Sequence, residues 1–244
     1  MIRRVGGKSK LKKKIVSLMP KHKTYVEAFV GGGHVLFEKK PAEINIINDK
    51  DIDIAHIYGD MKAVGDKMIN KDFTGNRDKF FRLLNQKKFN NTEERLYRNL
   101  YISINSFAGN RKSYMGPNEE IYRQGSNIGK KYKSTKYKDF LNNNNVKIFN
   151  TDFKNIIKKY DSKDTLFYLD PPYSKSTKDY KHSVNPNDVY KALQGLKSKF
   201  ILSYDHSPEI KKIFNKYKFK TVTTSYDMSG VRQGDIKEYL ITNF

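Results

Sequence analysis

The stretch TLFYLDPPYSKST, residues 165–177, constrains this chain more than any other. Thr165 to Leu169 form a run rich in apolar residues that reads as a β-strand. Pro171 and Pro172 follow Asp170 directly, and neither has the N–H that a sheet ladder needs. Pairing must therefore stop at Asp170, and the backbone must leave the sheet there. In a parallel α/β sheet the carboxyl ends of the strands face the ligand crevice, so Asp170 and Tyr173 are expected to be presented to it.

The rest of the chain supplies such a sheet. MIRRVGGKSKLKKKIVSLMP gives a Gly-Gly turn and a basic helix with Leu11, Ile15, Leu18 and Met19 on one face, closed by Pro20. TYVEAFVGGGHVLFE reads as a strand from Thr24 to Phe29, a turn at Gly31, Gly32 and Gly33, and a helix starting near His34. EINIIND, ending at Asp49, reads as a second parallel strand, with a helix in KDIDIAHIYGDMKAV after it. From residue 63 to 145 the pattern changes to charged helical segments, RDKFFRLLNQ and EERLYRNLYISI, and a long polar stretch that ends in the solvated turn LNNNNV. Strand-like runs then resume in VKIFNTDF, TLFYLD, KFILSYD, FKTVTTSYDM and EYLITNF, with helices in PNDVYKALQGLKS and SPEIKKIFNKY. The expected organisation is one α/β domain, residues 1–62 and 146–244, with residues 63–145 inserted as a mainly helical second domain.

Charge narrows the partner. The 244 residues carry 48 Lys and Arg against 26 Asp and Glu, a net +22 that suits a polyanion, with nucleic acid the leading candidate. A genomic base bias that enriches lysine and asparagine is the plainer source of part of this excess. No stretch approaches the roughly 20 apolar residues of a membrane span, and the N-terminus lacks the apolar run of a signal peptide. A soluble, cytoplasmic protein is expected, of cellular or phage origin. With no cysteine, the chain excludes disulfides, Cys-ligated zinc and a Cys nucleophile, and its five histidines show no paired spacing, so no metal is expected.

Two sites carry chemistry. Gly31 and Gly33 at a strand-to-helix turn let backbone approach a ligand closely, and Asp49, sixteen positions after Gly33, is placed to accept hydrogen bonds from ribose hydroxyls. A nucleoside is the implied ligand. At the other site Asp170 and the Pro171 carbonyl offer two fixed acceptors to an exocyclic amino group with two N–H donors, and the Tyr173 ring can stack on a planar base. The plainer alternatives are a strand end followed by a turn at DPPY, and ordinary helix caps at Asp49 and Asp152.

EAFVGGGHV at 27–35 together with DPPY at 170–173 resembles the Dam-type DNA adenine-N6 methyltransferases, in the same order, with an insertion between the motifs. VGGKSK near the N-terminus resembles that family's GGK segment, and LSYDH and EYLITNF match its later strands loosely. The resemblance implies a doubly wound, Rossmann-like methyltransferase sheet that binds S-adenosylmethionine (SAM) and carries an inserted DNA-recognition domain. It implies that Val5, Gly6, Lys8, Phe29, Gly31, Gly33, Asp49, Asp152, Phe153 and Asp170 border the cofactor. Asp170, Pro171, Pro172 and Tyr173 would hold an adenine flipped out of double-stranded DNA.

The insertion is the expected DNA surface. Between Ala108 and Lys138, Arg111, Lys112, Arg123, Lys130, Lys131, Lys133, Lys136 and Lys138 outweigh Glu119 and Glu120. Phe107 is placed like a family aromatic that wedges into the duplex, and Asn110, Arg111 and Lys112 are expected at the DNA, the two bases reaching guanine edges. The segment EIYRQGSNIGKKYK departs from the family's recognition hairpin, so its usual GATC target is an expectation only. STKDYKHSV after DPPY is expected to order over the bound base, with Tyr180 a second aromatic contact. Two rival readings are a methyltransferase acting on another amino group (RNA adenine, cytosine N4 or a protein glutamine) and a DNA-binding protein that keeps the fold without catalysis. Asp at 170 and the motif order favour adenine in DNA. Intact Gly31, Gly33, Asp49 and Asp170 argue against the non-catalytic reading.

Overall fold

A computed structural model describes Ile2 and residues 6–116, 136–173, 184–228 and 231–244. Its contacts divide the chain into two compact units: Lys8–Val30, His34–Asp51 and Asn144–Phe244 form one, while Ile52–Asn143 with Gly31–Gly33 and the N-terminal residues form the other.

The first unit is built on a seven-stranded sheet: β1 (Thr24–Glu27), β2 (Ile44–Asn48), β3 (Val146–Phe149), β4 (Thr165–Leu169), β5 (Lys199–Asp205), β6 (Lys218–Met228) and β7 (Val231–Thr242). Their spatial order is β3-β2-β1-β4-β5-β7-β6. The first five run parallel, and β7 enters antiparallel between β5 and β6. Every residue of β4 is buried, so the strand has no polar face to give to water. Three helices of this unit, Phe153–Tyr160, Pro186–Leu193 and Pro208–Ile213, follow β3, β4 and β5 in the chain. Phe153, Ile156, Val189, Leu193, Ile210 and Phe214 from these segments close one core with Val26, Phe167, Phe200 and Leu202 of the sheet. The fold is thus a mixed α/β, doubly wound sheet.

Two N-terminal elements differ from the sequence pattern. The first helix spans only Lys12–Val16, although Leu11 and Ile15 are buried as expected. No helix forms at His34: residues 34–38 make turns in which Glu38 N–H and Lys39 N–H both reach the Val35 carbonyl. Pro41 stops any helix there, since it has no N–H to continue the ladder and disfavours helical backbone at the residue before it. Burial of Lys39, whose ammonium donates to Asn45 Oδ1 at 3.0 Å, fixes the turns instead.

The second unit is helical among its described residues. Ile52–Val64, Arg77–Asn85, Thr92–Asn105 and Lys136–Asn143 are its α-helices, and the first of these packs against the third and the fourth. Arg95 grips Asp60 with two bonds of 2.8 and 2.7 Å, and Asn142 donates to the Lys62 carbonyl at 3.0 Å. Asn76 and Asn91 cap the second and third helices by accepting from the backbone N–H groups of Lys79 and Glu94. No helix among the described residues is long and apolar enough to cross a membrane.

Candidate active site

The strand order turns back on itself at β1. From β1 the chain moves outward through β2 to β3, then returns to lay β4 on the other flank of β1 and continues to β5. In open α/β sheets the crevice beyond the carboxyl ends of the strands at such a switch point is where ligands bind. Asn48, buried at the end of β2, pins the loops there: its side-chain N–H groups donate to the Ala28 and Thr151 carbonyls at 3.0 and 3.1 Å, while its own carbonyl accepts from Val30 N–H at 2.8 Å. Gly31 and Gly33 follow Val30 with φ of 45° and 66°, left-handed values that glycine adopts without strain.

At the end of β4 the expected acid is at the centre of a buried polar cluster. Lys8 Nζ lies 3.0 Å from Asp170 Oδ1 and 3.5 Å from Glu238 Oε2, and the Lys8 side chain is only 3% exposed. The Tyr173 hydroxyl donates to Glu238 Oε2 at 3.0 Å. Its ring stacks on Tyr204 with centroids 5.4 Å apart and an interplanar angle of 22°, and the Lys8 ammonium is 4.9 Å from the Tyr173 ring centroid. Burial pushes the Asp170 carboxyl up to about 6; the Lys8 cation opposes that rise and the Glu238 carboxylate adds to it. One cation is thus shared by two carboxylates. Such a site can accept hydrogen bonds from a donor group and take up a proton near neutral pH.

The ends of β1, β2 and β3 bring together the other expected residues of this unit. Phe29 and Phe153 meet with ring centroids 5.1 Å apart. The Asp152 side chain caps the helix Phe153–Tyr160 by accepting from Lys154 N–H at 3.0 Å, and Asp49 Oδ1 accepts from Asp51 N–H at 2.9 Å. Asp152 is thus an ordinary helix cap, whereas Asp49 closes a local turn ahead of the helix that begins at Ile52. A half-buried carboxylate just after β2 and the partly exposed ring of Phe29, backed by the buried Phe153, suit a ribose and a purine. These residues fit a nucleoside-bearing cofactor.

In the helical unit the expected DNA residues separate. Phe107 is 38% exposed, a large apolar side chain left in solvent, and Lys112 is exposed beside it in sequence. Asn110 Oδ1 accepts from the N–H groups of Lys112 and Ser113, closing the turn that carries them. Arg111, expected to reach guanine edges, is instead buried. Its guanidinium donates to Asp53 Oδ2 at 3.1 Å, Ser103 Oγ at 2.8 Å and Asn99 Oδ1 at 3.2 Å, and its backbone takes the left-handed φ of 60°. Turned inward, the guanidinium shares Asp53 Oδ2 with Arg98, which lies 3.3 Å from the same oxygen. Val5, Arg123, Lys130, Lys131, Lys133 and Tyr180 lie outside the described residues.

Residues 5–228 match the family described as D12 class N6 adenine-specific DNA methyltransferase. The chain belongs to this family. Type II methyltransferase M1.LlaDCHI of Lactococcus lactis subsp. cremoris is 27% identical over 268 residues, spanning 98% of this chain and 93% of that one. Type II methyltransferase M.MjaIII of Methanocaldococcus jannaschii is 26% identical over 290 residues, spanning 98% and 96%. Among solved structures, a Streptococcus pyogenes protein titled conserved hypothetical protein aligns over 96% of this chain and 94% of its own, with 11% identity and a TM-score of 0.39.

Several polar residues of this D12-class methyltransferase escaped the sequence reading. Glu238 is 1% exposed, in the mixed strand β7, and Glu27 is 2% exposed, at the end of β1. Glu27 accepts from the Tyr25 hydroxyl at 2.9 Å, and burial pushes its carboxyl up to about 8. Lys39 is buried close by, 4.3 Å from the Tyr25 ring centroid, and burial lowers its ammonium to about 8 against the pull of Glu27. Tyr204 reads in sequence as one more core aromatic, yet its hydroxyl is buried without a hydrogen-bond partner among the described residues. The signal for Glu27 is an acid flanked by apolar residues, which the cost of burying a lone charge makes rare, whereas Glu238, next to Lys237, carries no such signal.

Proposed function

We propose that this chain is a site-specific DNA methyltransferase that transfers a methyl group from SAM to the N6 amino group of an adenine flipped out of a short duplex site. The observation that carries the reading is the Asp170 carboxylate, fixed at the end of β4 by Pro171 and by a buried Lys8 at 3.0 Å. SAM supplies an electrophilic methyl group on a sulfonium. Phe29, Asp49, Asp152 and Phe153 would hold its nucleoside, Asp49 through the ribose hydroxyls, with Gly31, Gly33 and the VGGK segment expected beside it from sequence.

The work left to the protein is positioning. The adenine amino lone pair is delocalised into the ring. Asp170 and the Pro171 carbonyl, each accepting one N–H, favour a pyramidal nitrogen whose lone pair points at the methyl carbon. The nitrogen gains the methyl group and a positive charge, then loses a proton, for which Asp170 is the nearest acceptor in this scheme. Tyr173 would stack on the base, its ring held by Tyr204 and its hydroxyl by Glu238. Phe107 and Lys112 belong to the DNA-contacting surface in this reading, with Lys130, Lys131 and Lys133 expected there from charge alone.

The test is incubation with labelled SAM and, separately, duplex DNA, single-stranded DNA and RNA, followed by sequencing of the methylated product. N6-methyladenine in one short duplex context, GATC or another, is the expected result. Label on RNA alone, or on cytosine, would overturn it, and absence of SAM binding would favour a non-catalytic DNA-binding protein.

A further inference from the structure

Glu238 lies outside both motifs, yet its carboxylate touches two of the groups on which the proposed chemistry depends. It comes from β7, where antiparallel pairing sets it opposite Asp205 at the end of β5, and so carries an acid to the carboxyl edge of the parallel strands. There it accepts from the Tyr173 hydroxyl at 3.0 Å and lies 3.5 Å from Lys8 Nζ, whose other carboxylate partner is Asp170 at 3.0 Å. A carboxylate with 2% of its side chain exposed is costly to bury, and the fold retains it at the one place where it competes with Asp170 for a cation.

We infer that Glu238 is a positioning residue of the methyl-acceptor site, drawing the Lys8 ammonium partly away from Asp170 and fixing the Tyr173 hydroxyl, so that Asp170 remains a strong acceptor for the adenine amino group. The inference rests on the adenine-methylation reading of this site. A carboxylate fully satisfied by an ammonium is a weaker base and a weaker hydrogen-bond acceptor. With the cation divided, Asp170 keeps the basicity needed to polarise the amino group and to take its proton. Among the described residues, the charged or titratable groups facing Asp170 are Lys8, Glu238 and Tyr173, with Glu27, Tyr168 and Tyr204 contributing through space. Lys8 is the cation in this set, and Glu238 touches it directly.

Steady-state methylation of a duplex carrying the recognised adenine, followed as a function of pH, tests this in Glu238→Gln. The amide can still accept from the Tyr173 hydroxyl but no longer carries the charge that attracts Lys8, so Asp170 takes a larger share of the ammonium. The acid limb of kcat should move down by about one pH unit. At pH 8 kcat should fall about tenfold while KM for DNA stays within about twofold. A folded Glu238→Gln chain whose acid limb stays with the wild type, or moves up, overturns the inference. Should that variant fail to fold, Glu238→Asp probes the same contact: a carboxylate drawn back by one methylene loosens its hold on Lys8 and the acid limb moves down, and an unmoved limb overturns the inference. If the wild-type protein methylates no adenine in any duplex, it is the functional reading that falls, a result distinct from both.

Discussion

Lys8 and Asp170, far apart in sequence, meet as a 3.0 Å ion pair with the lysine side chain only 3% exposed. This pairing gives the DPPY acid a role that a strand end followed by a turn does not need. If Asp170 accepts an amino N–H, replacing it should abolish transfer and leave the cofactor side intact. Asp170→Ala is expected to lose at least about 1,000-fold in kcat, the order seen when a transition-state hydrogen-bonding group is removed. SAM affinity, measured by calorimetry, should change by less than about fivefold, whereas Asp49→Ala should weaken it by about tenfold or more. Methylation retained in Asp170→Ala would remove that residue from the mechanism.

The same acid sets a pH limit. Its folded carboxyl is pushed up to about 6, so as pH falls through that value Asp170 gains a proton and ceases to accept. Wild-type kcat should therefore decline below about pH 6 with a slope of one, and be flat from pH 7 to 8. A rate that stays level down to pH 5 would mean that Asp170 ionisation does not govern the step.

How much of this was legible in the sequence depends on the range of the signal. DPPY, the glycine turn and the succession of strands along the chain rest on local chemistry: proline cannot pair in a ladder, and alternating βα runs build parallel sheets. Asp170, Tyr173 and the Phe29–Phe153 pair accordingly lie where the pattern put them, at the carboxyl ends of the strands. Glu238 and Tyr204 were out of reach because their roles come from tertiary pairing: β7 is antiparallel, and only its register with β5 brings Glu238 to the cluster. Arg111 misled for the opposite reason. Its charge and basic surroundings suggested DNA, but burial against Asp53, Asn99 and Ser103 is a long-range fact that composition does not carry.

Arg111 should then matter for stability. Removing one partner of a buried ion pair leaves the other charge without compensation, which costs about 3–5 kcal/mol. The cost in Arg111→Ala should fall near the lower figure, since Arg98 also reaches Asp53 Oδ2, at 3.3 Å. Arg111→Lys should recover little, because a lone ammonium cannot span Asp53, Ser103 and Asn99 as the guanidinium does. Urea unfolding of the two variants beside the wild type measures this, and a midpoint unchanged in Arg111→Ala would mean that the network contributes nothing.

Glu27 predicts a pH dependence of stability. Its carboxyl, ordinarily near 4.5, is raised to about 8 in the folded protein. Between those values the folded chain binds a proton that the unfolded chain has released. Glu27 therefore contributes stability that is fully present below pH 4.5 and is lost as pH rises through about 8. Lys39, lowered to about 8 from 10.5, acts above that window and with opposite sign, since there the unfolded chain binds the extra proton. Glu27→Gln cannot ionise and should flatten the fall in Tm between pH 5 and pH 8. An equal fall in variant and wild type would show that Glu27 does not hold the proton.

The insertion makes a prediction that separates positioning on DNA from chemistry. Lys112 is exposed, while Lys130, Lys131 and Lys133 add charge in the same polar stretch of sequence. Each lysine that neutralises a phosphate releases counterions, so log K falls with log salt by about 0.9 per contact. Changing Lys130, Lys131 and Lys133 together to Gln should weaken duplex binding across all sequences and reduce that slope by about 2–3 units. Phe107→Ala should behave differently: its ring carries no charge, so the salt slope should hold while kcat drops, because a wedge that fills the space of an extruded base acts on flipping and not on phosphate contact. A salt slope unchanged in the triple lysine variant would move the phosphate-contacting surface elsewhere on the protein, and a reduced slope in Phe107→Ala would mean that this residue orders the basic segment instead of entering the duplex.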